Sequence, residues 1–270
     1  MSVKCRNTPL NRGAFCYNKI MKIFSHESRE YQAYSRASGG QNNGAYWYSK
    51  EIVENIIPKV DTDRNWVTIN VTGRCFDHSI VFIHNNINQN RYKWLRAYKD
   101  LILVCGVEET VTKMQEKFPM FTVIYLPLSV DVSYVEQFKR EKTKDKCFAG
   151  RLDKKTPQLP TGVECIGNIP RDELLPKIAE YKTVYAVGRC ALEAKILGCK
   201  IGIYDPRFPK DIWEPMDNSE AAWILQKKLD IIDGITAGRK EKLEEELAIL
   251  KNREKEIKKA IKELEEEDAS

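Results

Sequence analysis

From residue 21 onward, short runs of β-branched and aliphatic residues alternate with segments whose apolar side chains recur every three or four positions. Strand-helix-strand units around a parallel sheet carry this signature. Strands are predicted at 22–25, 66–71, 80–84, 101–105 and 122–126, with helices at 45–57, 89–98 and 108–118 between them. A second alternation follows, with strands at 147–149, 163–166, 183–187 and 200–204 and helices at 171–180 and 189–197. Asp205-Pro206-Arg207-Phe208-Pro209 ends it with two prolines, and a closing helix is predicted at 219–232, with Ser219 as its N-cap. The fold class is α/β, in two halves at 21–135 and 147–235.

Between the halves, residues 136–146 are mostly charged, with Gln137, Phe138 and Thr143 the exceptions and little that can fill a core, and read as a linker. Residues 236–270 are a further unit, a charged helix. Within it Leu243, Leu247, Leu250, Ile257, Ile261 and Leu264 are spaced 4, 3, 7, 4 and 3, with Glu254 on the same seam. That period of 3.5 residues points to a coiled coil able to pair two copies through residues 239–267; the competing reading is a solvated helix. Residues 1–20 carry Lys4, Arg6, Arg12 and Lys19 and no acid, and read as a disordered extension rather than a targeting signal.

With 42% hydrophobic and 31% charged residues, the 270-residue chain can bury one or two cores. No stretch approaches the roughly 18 apolar residues of a membrane-spanning helix. A net charge of +5 falls short of the dense basic footprint of a dedicated nucleic-acid binder. The eight cysteines form no Cys-x-x-Cys pair, and those in apolar runs, such as Cys105 and Cys165, read as buried thiols of a reducing, cytoplasmic compartment. His26, His78 and His84 are too separated to suggest a metal cluster.

In open parallel sheets ligands bind at the carboxyl ends of strands, so the residues there are the candidates. Gly188 stands at a strand-to-helix turn, where backbone N–H groups and the positive end of the helix dipole suit a phosphate. Arg189 adds a charged donor. Glu193, four residues on, lies on the same helix face and is placed to accept two ribose hydroxyls; the alternative is a surface ion pair with Arg189. Arg151 and Lys155 follow the strand-ending Gly150 and can neutralise a diphosphate leaving group. Gly39 and Gly40, in a loop before the first helix, permit close approach to a ligand, although the spacing is neither that of a P-loop nor of a dinucleotide fingerprint. His84 ends an apolar strand, where it suits acid/base work or a structural role equally.

The order of these features resembles the retaining glycosyltransferases of the GT-B fold, family 4 or group 1. The resemblance is carried by Gly39-Gly40, His84, the strand from Asp100 to Cys105, Pro127-Leu128-Ser129-Val130-Asp131, Gly150-Arg151-Leu152, Ile166-Gly167, and Gly188 with Glu193 and Gly198. It spans about residues 21–230, and no one of its motifs is diagnostic alone. It implies two Rossmann-like domains facing a cleft, and metal-independent transfer of a sugar from a nucleotide-diphosphate donor to an acceptor hydroxyl, with retention. On it, Arg151 and Lys155 hold the diphosphate, Gly39 and Gly40 approach it from the other domain, Glu193 binds the ribose, and His84 lies near the transferred sugar. The acceptor is a glycan, lipid, protein or DNA. Tyr185 stands where the family carries a second glutamate, and the chain is short for the family. Those departures support a rival reading, a degenerate scaffold working through its coiled-coil tail.

Overall fold

A computed structural model describes residues 22–24, 44–68, 75–83, 89–150, 159–167 and 169–268. Among them lie two parallel sheets. The first runs in the order β1 (Ile23–Phe24), β2 (Asn65–Thr68), β3 (Ser79–Ile83), β4 (Leu101–Cys105) and β5 (Thr122–Tyr125). Every residue of β3 and β4 is buried, as a sheet covered on both faces requires. The pleat sends alternate side chains to opposite sides. Ile80, Phe82, Ile102 and Val104 pack with Ile52 and Ile56 in one cluster, while Val81, Ile83, Leu103 and Cys105 pack with Met114 and Phe118 in another.

The first cluster is built on helix α1 (Gly44–Glu51), which widens into a π-helical turn (Ile52–Ile56) and then tightens into a 3-10 turn (Ile57–Lys59). Pro58 then stops it, because it lacks the N–H a longer helix needs. The second cluster is covered by α2 (Glu108–Lys117) and by a segment from Gln89 to Ala97. That segment is 3-10 helix throughout; its apolar spacing marked a helix but not the type.

The second sheet has the order β7-β6-β8-β9, from β6 (Lys144–Phe148), β7 (Glu164–Cys165), β8 (Tyr181–Tyr185) and β9 (Lys200–Gly202). Helices α3 (Val132–Glu136), α4 (Arg171–Ile178) and α5 (Arg189–Ile196) surround it. The limits of its strands fall up to three residues from those predicted, β6 starting three residues early and β7 losing one residue at each end. The linker is shorter than expected, because α3 ends inside it and β6 starts at Lys144, paired with Tyr181. Its charge also has a structural use. Lys142 Nζ donates to the carbonyls of Ala179 at 2.7 Å and Leu197 at 2.6 Å, satisfying the C-terminal ends of α4 and α5.

The closing helix and the charged tail are one helix, α6 (Asn218–Asp268), of 51 residues. Gly234 and Gly238 do not break it, since each costs only about 1 kcal/mol and the flanking residues favour helix. Its cap is Asp217, not Ser219: the Asp217 carboxylate accepts the Ser219 N–H at 2.7 Å. Ala221, Ala222, Leu225 and Leu229 fix its first turns in the apolar cluster that also holds residues of both sheets. Beyond that anchor the described seam residues are bare, with Leu243, Leu250 and Ile257 64%, 60% and 60% exposed. Cys75, Cys105, Cys147 and Cys199 are buried, but Cys165 is exposed, because β7 borders the sheet. Among the described residues no helix is long and apolar enough to cross a membrane.

Candidate functional site

In the second sheet β6 pairs with β7 on one side and β8 on the other, so successive connections leave β6 in opposite directions. Such a reversal opens a crevice at the carboxyl ends of the two strands. Ala149 and Gly150 follow β6 there, and Ala186, Val187 and Gly188 follow β8. The loops after β6 and β7 touch so closely that a Cβ on Gly167 would overlap the Gly150 carbonyl oxygen.

Gly188 caps α5 with φ 62° and ψ −135°, a conformation nearly confined to glycine. Its carbonyl accepts from the N–H groups of Ala191 at 3.0 Å and Leu192 at 3.2 Å. A Cβ built on it would meet nothing within 4 Å. Gly188 thus leaves open space at the positive end of a helix, at the sheet's reversal point, which is the geometry an anionic group needs.

A cleft of about 450 Å3 lies where the carboxyl ends of β4 and β5 face the segment after β9. Tyr125, Leu128, Leu192, Phe208, Trp213 and Met216 give it apolar walls, and Glu108, Glu109 and Lys210 supply charge. Leu192 comes from α5, so one helix presents its N-terminus to the reversal point and a side chain to the cleft.

The opposite side of α5 is held by charge. Glu193, 2% exposed, accepts at Oε1 from Arg189 Nε at 2.8 Å and Arg171 Nε at 2.9 Å. Glu51 of α1 takes the other ends: its Oε1 pairs with Arg189 Nη2 and with Arg171 Nη1 at 3.3 Å. Its Oε2 accepts from Asn218 and from the Asp131 N–H at 3.1 Å. Burial pushes the Glu51 pKa up, but Arg189, Asn218 and Arg171 outweigh it and hold the carboxyl below its ordinary value. Burial also pushes the neighbouring Cys190 thiol up to about 12, which leaves it unreactive.

Of the residues singled out in the sequence, the structure brings together Gly188, Arg189 and Glu193. Gly39, Gly40, His84, Arg151 and Lys155 lie outside the described residues. The pairing of Arg189 with Glu193 is present, but inside the protein rather than at its surface. Both side chains are turned to Glu51 and Arg171. Glu51, Arg171 and Asn218 escaped sequence reasoning because their partners are distant in the chain. One local signal existed, a glutamate one turn from the buried Tyr48 and beside Ile52.

His78 sits at the other end of the first sheet, just before β3. Its ring bridges Asp63 at 2.8 Å and Asp100 at 2.5 Å, and Asp100 also binds Arg64 at 3.1 Å. This cluster ties the amino ends of β3 and β4 and takes no part in the cleft. Partial burial pushes the Asp100 pKa up, but the bonds from His78 and Arg64 prevail and lower it.

Lowered carboxylate pKa values fix the sign of acid sensitivity. Stability from Glu51 and Asp100 is complete above their ordinary values, 4.5 for glutamate and 3.8 for aspartate, and is lost as pH falls through the lower folded values. The urea midpoint is therefore expected to stay level down to 4.5 and decline below it. In Glu51→Gln the decline should be shallower.

Comparison with protein-family models, curated proteins and solved structures finds no match for this chain.

Proposed function

We propose that the chain is a glycosyltransferase that moves a sugar from a nucleoside-diphosphate donor to an acceptor hydroxyl. The observation that carries this reading is Gly188, open at the N-terminus of α5 where the second sheet reverses direction. The donor diphosphate sits there against backbone N–H groups, and the helix dipole stabilises the charge that develops as the bond to the sugar breaks. Arg151 and Lys155, which follow Gly150 in the sequence, supply cationic side chains to the leaving group. The apolar cleft beside Leu192 receives the rest of the donor or the acceptor, with the two sheets standing as the two halves of a GT-B arrangement. On the family resemblance, the sugar is transferred with retention, the donor phosphate helping to deprotonate the acceptor on the same face, without a metal, and His84 lies beside the transferred sugar.

Arg189 and Glu193 act on this reading by position. Locked to Glu51 and Arg171, they fix the axis of α5 and so the direction in which its N-terminus points. Thermal unfolding of the full chain with a panel of nucleoside-diphosphate sugars at millimolar concentration tests the proposal. At a hundred times Kd a donor stabilises by about 2.7 kcal/mol, a clear rise in Tm.

A second reading is a catalytically degenerate scaffold that recruits partners or a second copy through residues 239–267. It is favoured by the exposed seam of Leu243, Leu247, Leu250 and Ile257 on α6. It predicts no stabilisation by any donor in the same panel.

A further inference from the structure

A second cavity, of about 350 Å3, opens among α1, α3 and α4 and shares no lining residue with the cleft. Two N–H groups in its wall are buried without a hydrogen-bond partner among the described residues, Trp47 Nε1 and Arg171 Nη2. Arg171, which lines the cavity, is only 9% exposed, and its other contacts are all within the protein. Its guanidinium carbon lies 5.3 Å from the Trp47 ring centroid and 4.9 Å from that of Tyr134, while Nε and Nη1 bind Glu193 and Glu51. A buried donor left unpaired is costly, and an acceptor atom of a ligand recovers that cost.

The charge of the wall limits which acceptor that is. Glu51, Glu54, Asp131 and Asp172 line the cavity against Lys50 and Arg171, so a phosphate or carboxylate entering it meets a surplus of negative charge. A simple ammonium ion suits the carboxylates but leaves both N–H groups unpaired. A hydroxyl does both, accepting with its oxygen and donating with its hydrogen. Asp172, which already accepts from the Tyr134 hydroxyl at 2.6 Å, and Glu54, paired with Lys50 at 4.0 Å, line the cavity, and a carboxylate accepts more than one hydrogen bond.

We infer that this cavity binds a neutral carbohydrate, its hydroxyl oxygens taking the N–H groups of Trp47 and Arg171 and its hydroxyl protons going to Asp172 and Glu54. The site stands independently of the donor chemistry in the cleft, since a sugar bound here needs no nucleotide.

Titration of the full chain with glucose, galactose, mannose, maltose and cellobiose, read by saturation-transfer NMR, tests it. At least one of these is expected to bind saturably, and glucuronate and glucose 6-phosphate at least about tenfold more weakly, as one unfavourable charge contact of some 1.4 kcal/mol dictates. Trp47→Phe keeps the ring and removes the N–H, and should weaken the neutral sugar about fivefold, the worth of one hydrogen bond. Asp172→Asn, at an exposed position that does not endanger folding, should weaken it similarly. Both variants should bind uridine diphosphate just as the parent does, whether or not the parent binds it at all. The inference is overturned if none of the five sugars binds, if both variants keep the parent affinity, or if an anionic sugar binds as tightly as its neutral counterpart. Sugar binding without nucleotide binding would sink only the transferase reading.

Discussion

Replacing Glu51 with alanine is expected to destabilise the protein by about 3–5 kcal/mol, a loss that a urea melt at neutral pH reads directly. The size follows from what is left behind. Arg171 and Arg189 are 9% and 7% exposed, and without Glu51 two buried guanidinium groups share the single carboxylate of Glu193. Asn218 and the Asp131 N–H lose their acceptor as well. Such a cluster adds little net stability over a well-packed apolar core, but breaking it strands charge in a medium that solvates it poorly. Glu51→Gln, which keeps the volume and one acceptor oxygen, should lose less. A double-mutant cycle with Arg189→Met should show strong non-additivity, because the two side chains are in direct contact. Glu51 lies 138 residues from Arg189 in the chain and joins α1 to α5. Its removal should therefore loosen the two sheets from each other before either melts. Glu193→Ala acts on the same cluster, so its effect on ligand binding cannot be separated from its effect on folding.

Gly188→Ala makes the complementary prediction, a large effect on binding with a small one on folding. The new Cβ meets no protein atom, so the cost is backbone strain alone, at a φ, ψ pair nearly confined to glycine, about 1–3 kcal/mol. The methyl group then occupies the open space proposed for the donor diphosphate. Affinity for the donor should fall about a hundredfold, or some 2.8 kcal/mol. Dose-response thermal shifts in parent and variant check this, because the shift with donor should vanish while the melting point without it moves only a few degrees.

The sequence disclosed those parts of the molecule whose causes are local. Leu101–Cys105 matches the predicted strand residue for residue, since five apolar side chains in a row suit only a strand covered on both faces. The start of α5 at Arg189 was legible because glycine at a strand-to-helix turn has a specific backbone use. The first half of β6 was hidden: Lys144 and Asp145 are exposed, and apolar patterning reports burial, not strand pairing. The unbroken α6 was hidden by a change of composition that marks where packing stops rather than where the helix does. The partners of Glu193 were beyond reach for a different reason. Glu51 is separated from Arg189 and Asn218 by more than a hundred residues, and no local spacing encodes a contact made by folding two sheets together.

Release of nucleoside diphosphate is the most direct test of sugar transfer. The full chain is incubated with a panel of nucleoside-diphosphate sugars, with and without neutral glycan acceptors, beside the Gly188→Ala variant. The parent is expected to release nucleoside diphosphate from at least one donor, faster with an acceptor present, and the variant to release almost none. Equal release by parent and variant, or none from any donor by the parent, would contradict a donor site at the N-terminus of α5.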